Sequence, residues 1–166
     1  TGSATNLINA PVYRYITRIY FLSPCSRPSS GTVCTSAADG GSPIPTLKMV
    51  ELLGSGANAV FSDPIPVAEG IEAMAFDYGL DSNADGSPDS YVNCSACSVA
   101  DWGNVVAVRV NLVARNTEPS PDYTDAKTYA LGLAGTYTPS TADKRYKRHV
   151  YQLQVRLNNQ SMRREQ

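Results

Sequence analysis

The sequence predicts a mainly β protein, built from antiparallel sheets with long loops. Two patterns lead to this prediction: short segments of alternating apolar and polar residues recur along the chain, and no amphipathic helical pattern lasts longer than a turn or two. The composition agrees, because 12 Gly, 11 Pro and 10 Tyr with only 17% charged residues are typical of a secreted, loop-rich β protein. A length of 166 residues is enough for one domain with a sizeable core.

Three strands are predicted in the first half of the chain, at residues 12–22, 46–53 and 71–80. The first alternates arginines on one side with a second side made of Tyr13, Tyr15, Thr17, Ile19 and Phe21. Residues 24–45 are predicted to be a loop rich in Pro, Ser and Gly, and residues 54–66 to be irregular. The third strand alternates clearly, and one of its faces carries Met74, Phe76, Tyr78 and Leu80.

Strands are also predicted at residues 104–115 and 144–157, with a shorter one at 127–133. Residues 116–125 and 135–141 are predicted to be loops. The strand at 104–115 has an apolar face made of Val106, Val108, Val110 and Leu112. The last strand is predicted to turn an apolar face inward, which carries Tyr151, Leu153, Val155 and Leu157. Its polar face is predicted to point outward and carries Arg148, Gln152, Gln154 and Arg156. At least five such strands imply a mostly antiparallel sheet.

The charges are unevenly distributed, although the formal net charge is only −1, which argues against a general binder of polyanions. Residues 63–101 contain eight acidic residues and no Lys or Arg, whereas residues 144–166 contain seven Lys or Arg and one Glu. These two regions can pair with each other or with neighbouring molecules. We interpret the basic run at 144–148 as charge that protects a strand edge rather than as a contact for nucleic acid or lipid, and we expect no nucleic-acid partner.

Four cysteines, Cys25, Cys34, Cys94 and Cys97, allow three complete pairings, and an even number of them in a loop-rich chain is typical of an oxidising compartment such as the periplasm. The simplest pairing joins the first two and the last two. A zinc site is a weaker alternative, because the first gap is too long for a zinc ribbon. A redox-active Cys94–Cys97 pair would need a strand–motif–helix context, and the surrounding residues are typical of a turn instead.

Residues 81–89 carry the strongest chemical pattern in the chain. Oxygen ligands stand at alternate positions, namely Asp81, Asn83, Asp85, the carbonyl group of Ser87, and Asp89. Gly86 follows the third of them, where a calcium-binding loop of the EF-hand type turns sharply. A hard cation such as calcium prefers six to eight oxygen ligands, so the spacing predicts a structural calcium site.

The loop departs from the EF-hand pattern at its twelfth position, which is Val92 instead of a bidentate Glu. Water or a distant carboxylate would have to complete the site, and Asp77 and Asp101 are the candidates. A metal-free surface turn remains an alternative, because Asp, Asn, Gly, Ser and Pro are also ordinary turn residues. A catalytic carboxylate pair is less favoured, because nothing nearby supplies a partner for general acid–base chemistry.

No other motif indicates catalysis, so we expect neither an enzyme nor a small-molecule substrate. The single histidine, His149, shares a strand face with Tyr151 and Leu153 and is interpreted as a packing or edge residue. Residues 53–58 contain Gly-Ser-Gly but lack the third glycine and the following helix of a phosphate-binding loop. Trp102 is interpreted as a packing anchor beside the cysteine-bearing loop.

Several segments, in a constant order, resemble one family. They are residues 69–72, 76–81 and 83–91, followed by Trp102–Val110 and 112–115, and then by Tyr146–Val150 and 155–159. From about residue 11 onward, the chain resembles PilW-family minor pilins of type IV pili. Ala84 departs from the family's usual loop, which often has Gly at that position.

The resemblance implies an α+β pilin-like fold in the intact protein, of which residues 1–166 would be a single globular domain or its C-terminal part. Residues 1–10 would be a cloning remnant or a disordered start, and the hydrophobic N-terminal helix of the family would be absent. Such proteins are anchored in the bacterial inner membrane and face the periplasm. They form a tip or priming complex with other minor pilins, and they promote pilus assembly from the pilus tip at the cell surface.

Two other functional classes remain open. A pseudopilin of a type II secretion system would share the compartment and the general fold. A calcium-dependent extracellular adhesin or carbohydrate-binding module would bind glycans and would have no affinity for pilins.

Overall fold

The computed structural model describes residues 16–55 and 58–158, and this part of the chain folds as ten β-strands and one short α-helix. All strand pairs are antiparallel. The prediction of a mainly β, antiparallel architecture with long loops is therefore confirmed. Residues 12–15 of the first predicted strand lie outside the described residues.

The first sheet is organised around one long central strand. Its members are β1 (Arg18–Ser23), β2 (Thr46–Ser55), β3 (Asn58–Phe61) and β4 (Ile65–Glu69). Strand β1 pairs with one side of β2, while β4 and β3 follow one another along the other side. The prediction that residues 54–66 are irregular is wrong. The sequence did not indicate strands here because the apolar runs within residues 54–66 are short and are interrupted by Pro64 and Pro66. In the structure, strands form because pairing with β2 satisfies the backbone groups of this segment.

The second sheet contains the longest strands and matches the sequence prediction most closely. Its members are β5 (Ile71–Leu80), β6 (Ser90–Val92), β7 (Val105–Arg115) and β10 (Arg148–Arg156), in the spatial order β10-β7-β5-β6. Strand β5 has the predicted bounds, β7 begins one residue late, and β10 is shorter than predicted at its start. The three-residue β6 was not predicted.

Residues 116–147 leave this sheet and return to it through a small hairpin. The hairpin consists of β8 (Tyr129–Ala130) and β9 (Thr136–Tyr137), joined by a 3₁₀ turn at Gly132–Ala134. The strand predicted at 127–133 is therefore reduced to β8, and the loop predicted at 135–141 contains β9. The reason lies in Gly132 and Gly135, whose φ angles of 57° and 94° reverse the chain direction. Helix α1 (Val99–Gly103) is only about a turn long, as the sequence predicted.

The register of the second sheet gives it two unlike faces. We call one the inner face, because β8 and β9 pack on it; its buried cluster is Ala73, Val113 and Tyr129, with Leu131, Tyr137 and Val150 against it. We call the other the apolar face, and it consists of three cross-strand rows: Tyr78, Val108 and Val155; Phe76, Val110 and Leu153; Met74, Leu112 and Tyr151.

The last strand has the predicted alternation but the opposite orientation. Arg148 and Gln152, which were predicted to face outward, lie on the inner face, whereas Tyr151 and Leu153 are 55% and 63% exposed among the described residues. The physical reason is that the inner face of this sheet is itself polar. Buried carboxylates on that face neutralise the charge of Arg148, so this arginine is buried, whereas Gln152, Gln154 and Arg156 on the same side of β10 are exposed as predicted.

Candidate functional site

The predicted calcium loop, residues 81–89, is organised around the carboxylate of Asp81. This side chain follows directly after β5 and is fully buried. The Ala84 N–H donates to its Oδ1 (2.7 Å), and the Gly86 N–H donates to its Oδ2 (3.0 Å). Both carboxylate oxygens therefore point into the loop and accept hydrogen bonds from its backbone, which fixes the curled shape that the spacing predicted.

The other predicted side-chain ligands also accept hydrogen bonds from the loop. Asn83 Oδ1 accepts from the Asp85 N–H (3.0 Å), and Asp85 Oδ1 accepts from the Ser87 N–H (2.8 Å). Asp89 Oδ2 accepts from both the hydroxyl group (2.6 Å) and the N–H (2.8 Å) of Ser82. These bonds from Ser82, the hydroxyl first, lower the pKa of Asp89 below its ordinary value, so this carboxylate stays ionised.

Neither distant candidate completes a metal site with this loop. Asp77 is buried on the inner face, where it accepts hydrogen bonds from the Asn111 side chain (3.2 Å) and the Leu133 N–H (3.0 Å). Asp101 closes a capping box with Ser98 at the start of α1. Within residues 16–55 and 58–158, no three His, Cys, Asp or Glu side chains form a group that could hold a metal ion.

The loop therefore has the chemistry of a calcium site and the geometry of a hydrogen-bonded turn. All its donor groups are oxygens, which calcium prefers, but the three carboxylates do not converge. A cationic side chain already contacts the loop, because Arg156 Nη2 donates to the Gly86 carbonyl (3.2 Å). Calcium binding by Asp81, Asn83, Asp85, Ser87 and Asp89 stays a prediction.

Both disulfides follow the simplest of the three pairings. Cys25 bonds to Cys34, and Cys94 bonds to Cys97. The loop around the first disulfide also depends on Asp39, whose carboxylate accepts three backbone hydrogen bonds, from Ser26, Arg27 and Ile44. Burial by itself raises the pKa of Asp39, but these hydrogen bonds and the charge of Lys48 outweigh it and lower the pKa below its ordinary value.

A buried ion cluster on the inner face was not predicted as a site. At its centre, Arg148 Nε and Nη2 donate to the two carboxylate oxygens of Glu72 (2.5 and 2.9 Å), and Nη1 donates to Asp125 Oδ2 (3.0 Å). The two remaining N–H groups donate to the carbonyls of Asp143 and Tyr146. All five donors of Arg148 are thus satisfied, which a fully buried guanidinium requires.

A second arginine extends the cluster toward the first disulfide loop. The Arg115 side chain, only 4% exposed, forms ion pairs with Glu72 (3.3 Å) and Asp143 (3.1 Å), and it donates to the Pro43 carbonyl. Its guanidinium carbon lies 3.7 Å from the ring centroid of Tyr146. The cluster therefore connects β5, β7 and β10 with residues 41–45 and with residues 116–147.

One sequence signal did point to this cluster. The prediction that the acidic middle and the basic end of the chain can pair with each other is confirmed at Glu72 and Arg148. The interpretation of the basic run as edge protection is wrong for Arg148, which is buried. The alternation of residues could not indicate this, because alternation separates two faces without saying which one is covered.

The apolar face is only partly covered by the described residues. Its members on β10, Tyr151, Leu153 and Val155, are 55%, 63% and 43% exposed, its six members on β5 and β7 are half-buried, and none of the nine side chains is charged. Next to this face, Trp102 packs edge-on against Tyr78, with ring centroids 4.8 Å apart, although it stays 47% exposed. An open face of this kind is typical of a surface that another protein segment covers.

Comparison with protein families gives a match over most of the chain. The model of the type IV pilus-assembly protein W family, PilW, matches residues 32–159, which is most of the chain. The chain belongs to the PilW family. No match was found among curated proteins or among solved structures.

Membership of the PilW family means that the chain functions in type IV pilus assembly, in the bacterial cell envelope. The matched PilW region contains the whole second sheet, the loop at 81–89 and the ion cluster, whereas β1 and Cys25 precede it. Among the residues that the structure describes, no helix has the length and hydropathy needed to cross a membrane.

Proposed function

We propose that this PilW-family chain is a minor pilin, a non-catalytic subunit that joins other minor pilins in the tip or priming complex and promotes assembly of the type IV pilus. It acts by binding its neighbours. In this proposal the subunit is held in the inner membrane with its globular domain in the periplasm, and it reaches the cell surface at the pilus tip.

The open apolar face is the observation that carries this proposal. A monomeric soluble protein rarely leaves so continuous an apolar surface uncovered, because burying it is favourable at about 25 cal/mol per Å². The nine side chains come from β5, β7 and β10, and the register places them in three parallel rows of three. Such a surface needs a partner that is equally apolar and roughly as wide as three strands.

The hydrophobic N-terminal helix expected for a pilin-like subunit has suitable dimensions. Neighbouring strands lie about 4.8 Å apart, so the outer two of three strands are separated by roughly 10 Å. An α-helix with its side chains is about 10–12 Å across. We therefore propose that the apolar face packs against this helix, while the remaining exposed surface of the domain contacts the other minor pilins.

We also propose that residues 81–89 bind one structural calcium ion. The support is the alternation of oxygen donors, three of them carboxylates, and the curled backbone around the buried Asp81. Bound calcium would neutralise carboxylates that otherwise repel one another, and it would stiffen the loop next to β5.

The test is piliation of a strain that lacks this protein and expresses it again from a plasmid. We expect few surface pili without the protein and restored pili with the unaltered chain, with the protein located at pilus tips by immunogold microscopy. Val110→Glu, which places a charge in the centre of the apolar face, should reduce piliation more than tenfold. Val67→Glu, a charge on a 52% exposed valine of the other sheet, should leave it normal.

Normal piliation without the protein would contradict the proposal, as would labelling along the whole pilus shaft. Protein levels and melting temperatures of both variants must be measured, because a misfolded Val110→Glu chain would lower piliation for another reason. Equal piliation of the two folded variants would show that the apolar face is not needed for pilus assembly.

A further inference from the structure

Resting on the proposed function, we propose that β10 is a docking edge that accepts an extended strand from a neighbouring pilus subunit. In the spatial order β10-β7-β5-β6, β10 ends the sheet, so only β7 pairs with it among residues 16–55 and 58–158. It is nine residues long and pairs with β7 without any register shift. Such a strand presents a straight row of backbone N–H and C=O groups on its other side.

The edge lacks the features with which proteins prevent strand pairing. Residues 149–155 contain no charged residue, no Pro and no Gly, and the strand has no bulge. Two charges flank this stretch: Arg148 is turned inward and fully used by the ion cluster, and Arg156 donates to the Gly86 carbonyl. By contrast, the opposite edge strand β6 has only three residues, and the Cys94–Cys97 turn soon follows it. The two edges of this sheet therefore differ in their capacity to pair.

The pattern of β10 defines the chemistry of the incoming strand. Tyr151, Leu153 and Val155 project to the apolar face and Gln152 and Gln154 to the inner face, so the partner should alternate apolar and neutral polar residues in phase with them. At the start of β10, the exposed Arg145 and Lys147 precede the pairing region. The end of the partner segment that lies beside Lys147 should therefore carry acidic residues.

The same charges argue against a second copy of this chain as the partner. Antiparallel pairing of two β10 strands about Gln152 would place Arg156 of each copy opposite Arg148, whose charge the ion cluster already neutralises, and next to the exposed Lys147 of the other copy. Like charges that come close together on paired strands destabilise the pair. A different subunit, with acidic residues at one end of an otherwise uncharged strand, fits this edge better.

The experiment is amide hydrogen exchange by NMR on the isotope-labelled chain, alone and with each of the other minor pilins of the same pilus, purified without their membrane segments. Amides of β10 that bond to β7 alternate with amides that point to the free edge. With the partner subunit bound, exchange of the second set should slow at least tenfold at every other residue between 149 and 156. A protein segment that covered only the apolar face would not give this alternating pattern.

Affinity measurements on variants complete the test. Leu153→Lys, which places a charge on the edge, should weaken binding at least tenfold, whereas Val60→Lys at a 52% exposed valine of β3 should change it less than twofold. The double variant Arg145→Glu and Lys147→Glu should weaken binding at least fivefold and reduce its dependence on salt.

Four results would overturn the inference: no binding to any minor pilin, binding without the alternating protection, the same protection in the free monomer, or protection that appears only when the chain self-associates. The piliation experiment is independent of these results. A subunit that restores pili and binds its neighbours through other surfaces would refute the docking edge and leave the proposed function standing.

Discussion

Gly70 shows how much of this fold depends on a single residue. It joins the last strand of the first sheet to the first strand of the second, with a φ of 80°. Its N–H donates to the Pro45 carbonyl (2.7 Å), and its carbonyl accepts from the Arg115 N–H (2.8 Å). A Cβ atom at this position would lie 2.3 Å from the Arg115 carbonyl oxygen, which belongs to the rigid backbone of β7.

We therefore predict that Gly70→Ala lowers the free energy of unfolding by about 3 kcal/mol or more, through the left-handed backbone and the clash together. Gly41→Ala is the matched control. Its φ is 94°, but nothing lies within 4 Å of the added Cβ, so only the backbone cost of about 1 kcal/mol should remain. Urea unfolding of the three chains measures both values, and equal losses would show that the contact with Arg115 is unimportant.

Arg148 offers a second test at the level of one side chain. Arg148→Ala leaves Asp125 buried without a cation and Glu72 with only its ion pair to Arg115, so we predict a loss of about 3–5 kcal/mol in the free energy of unfolding. Arg18→Ala removes an ion pair with Glu51 in which the arginine side chain is 46% exposed, and it should leave the urea midpoint nearly unchanged. A small effect of Arg148→Ala would mean that water enters the cluster and solvates the carboxylates.

Among the strands and loops, length decided what the sequence could predict. Strands β5, β7 and β10 alternate over nine residues or more, and each was predicted to within a few residues. Strands β3, β6, β8 and β9 have two to four residues and were missed or misplaced. So short a strand forms because a longer neighbour or a tight turn completes its hydrogen bonds, and this is a property of the tertiary structure.

The loop at 81–89 was predicted from spacing alone, and the structure explains why that spacing remains ambiguous. An Asp that accepts hydrogen bonds from the backbone three and five residues later curls a chain whether or not a metal is present. Spacing can therefore identify a curled loop of oxygen donors. Whether the carboxylates converge on an ion depends on the direction in which the Asp85 and Asp89 side chains point, and the sequence does not determine that direction.

Calcium titration by calorimetry, with thermal melts in calcium and in chelator, tests the loop. We predict saturable binding near one equivalent, and a stabilisation of about 2.7 kcal/mol when free calcium is 100 times the Kd. Asp85→Asn should weaken binding strongly. Asp63→Asn, at an exposed carboxylate outside the loop, is the matched control and should bind normally. With neither heat nor a shift in Tm, residues 81–89 would be a polar turn.

At the scale of the whole molecule, the ion cluster was beyond sequence analysis. Glu72, Asp125 and Arg148 are separated by 23 to 76 positions along the chain, and no local pattern links them. Only the general complementarity of the acidic middle and the basic end was visible. The family, by contrast, could be identified because its segments keep their order over the long region that the family model matches.

The carboxylates of the fold should make its stability fall in acid. Burial raises the pKa values of Asp39 and Asp125, but hydrogen bonds and neighbouring cations outweigh it, so both lie below their ordinary range. The pKa values of Asp89 and Asp101 are lowered by hydrogen bonds from Ser82 and Ser98. A lowered pKa means that the unfolded chain takes up protons first as the pH falls.

We predict that these groups stabilise the fold fully above the unfolded-state pKa of about 4, and that their contribution is lost as the pH falls through their lower native values. Thermal melts from pH 7 to pH 2 should give a Tm that falls steeply below about pH 4. Asp125→Asn should make this fall shallower, although it lowers the Tm at pH 7. An unchanged Tm down to pH 2.5 would contradict the prediction.

At high pH, stability should fall as the pH rises, and two tyrosines are responsible. Burial and the nearby carboxylates raise the pKa values of Tyr129, beside Asp125, and Tyr137, beside Glu72. Their neutral hydroxyl groups are therefore favoured in the native state. Their contribution should be complete below the unfolded-state pKa of about 10 and should be lost above it, which the same melts extended to pH 11 would reveal.

The position of Arg148 in the chain also sets the order of events during synthesis. Glu72 and Asp125 are made before Arg148, and until the last strand arrives Asp125 would be held next to the inner face without its cation and Glu72 with Arg115 alone. A nascent chain that ends before β10 therefore cannot close residues 116–147 over the sheet at low cost. The second sheet should acquire its native packing only after nearly the whole domain has been synthesised, and until then the nascent chain depends on protection from premature association.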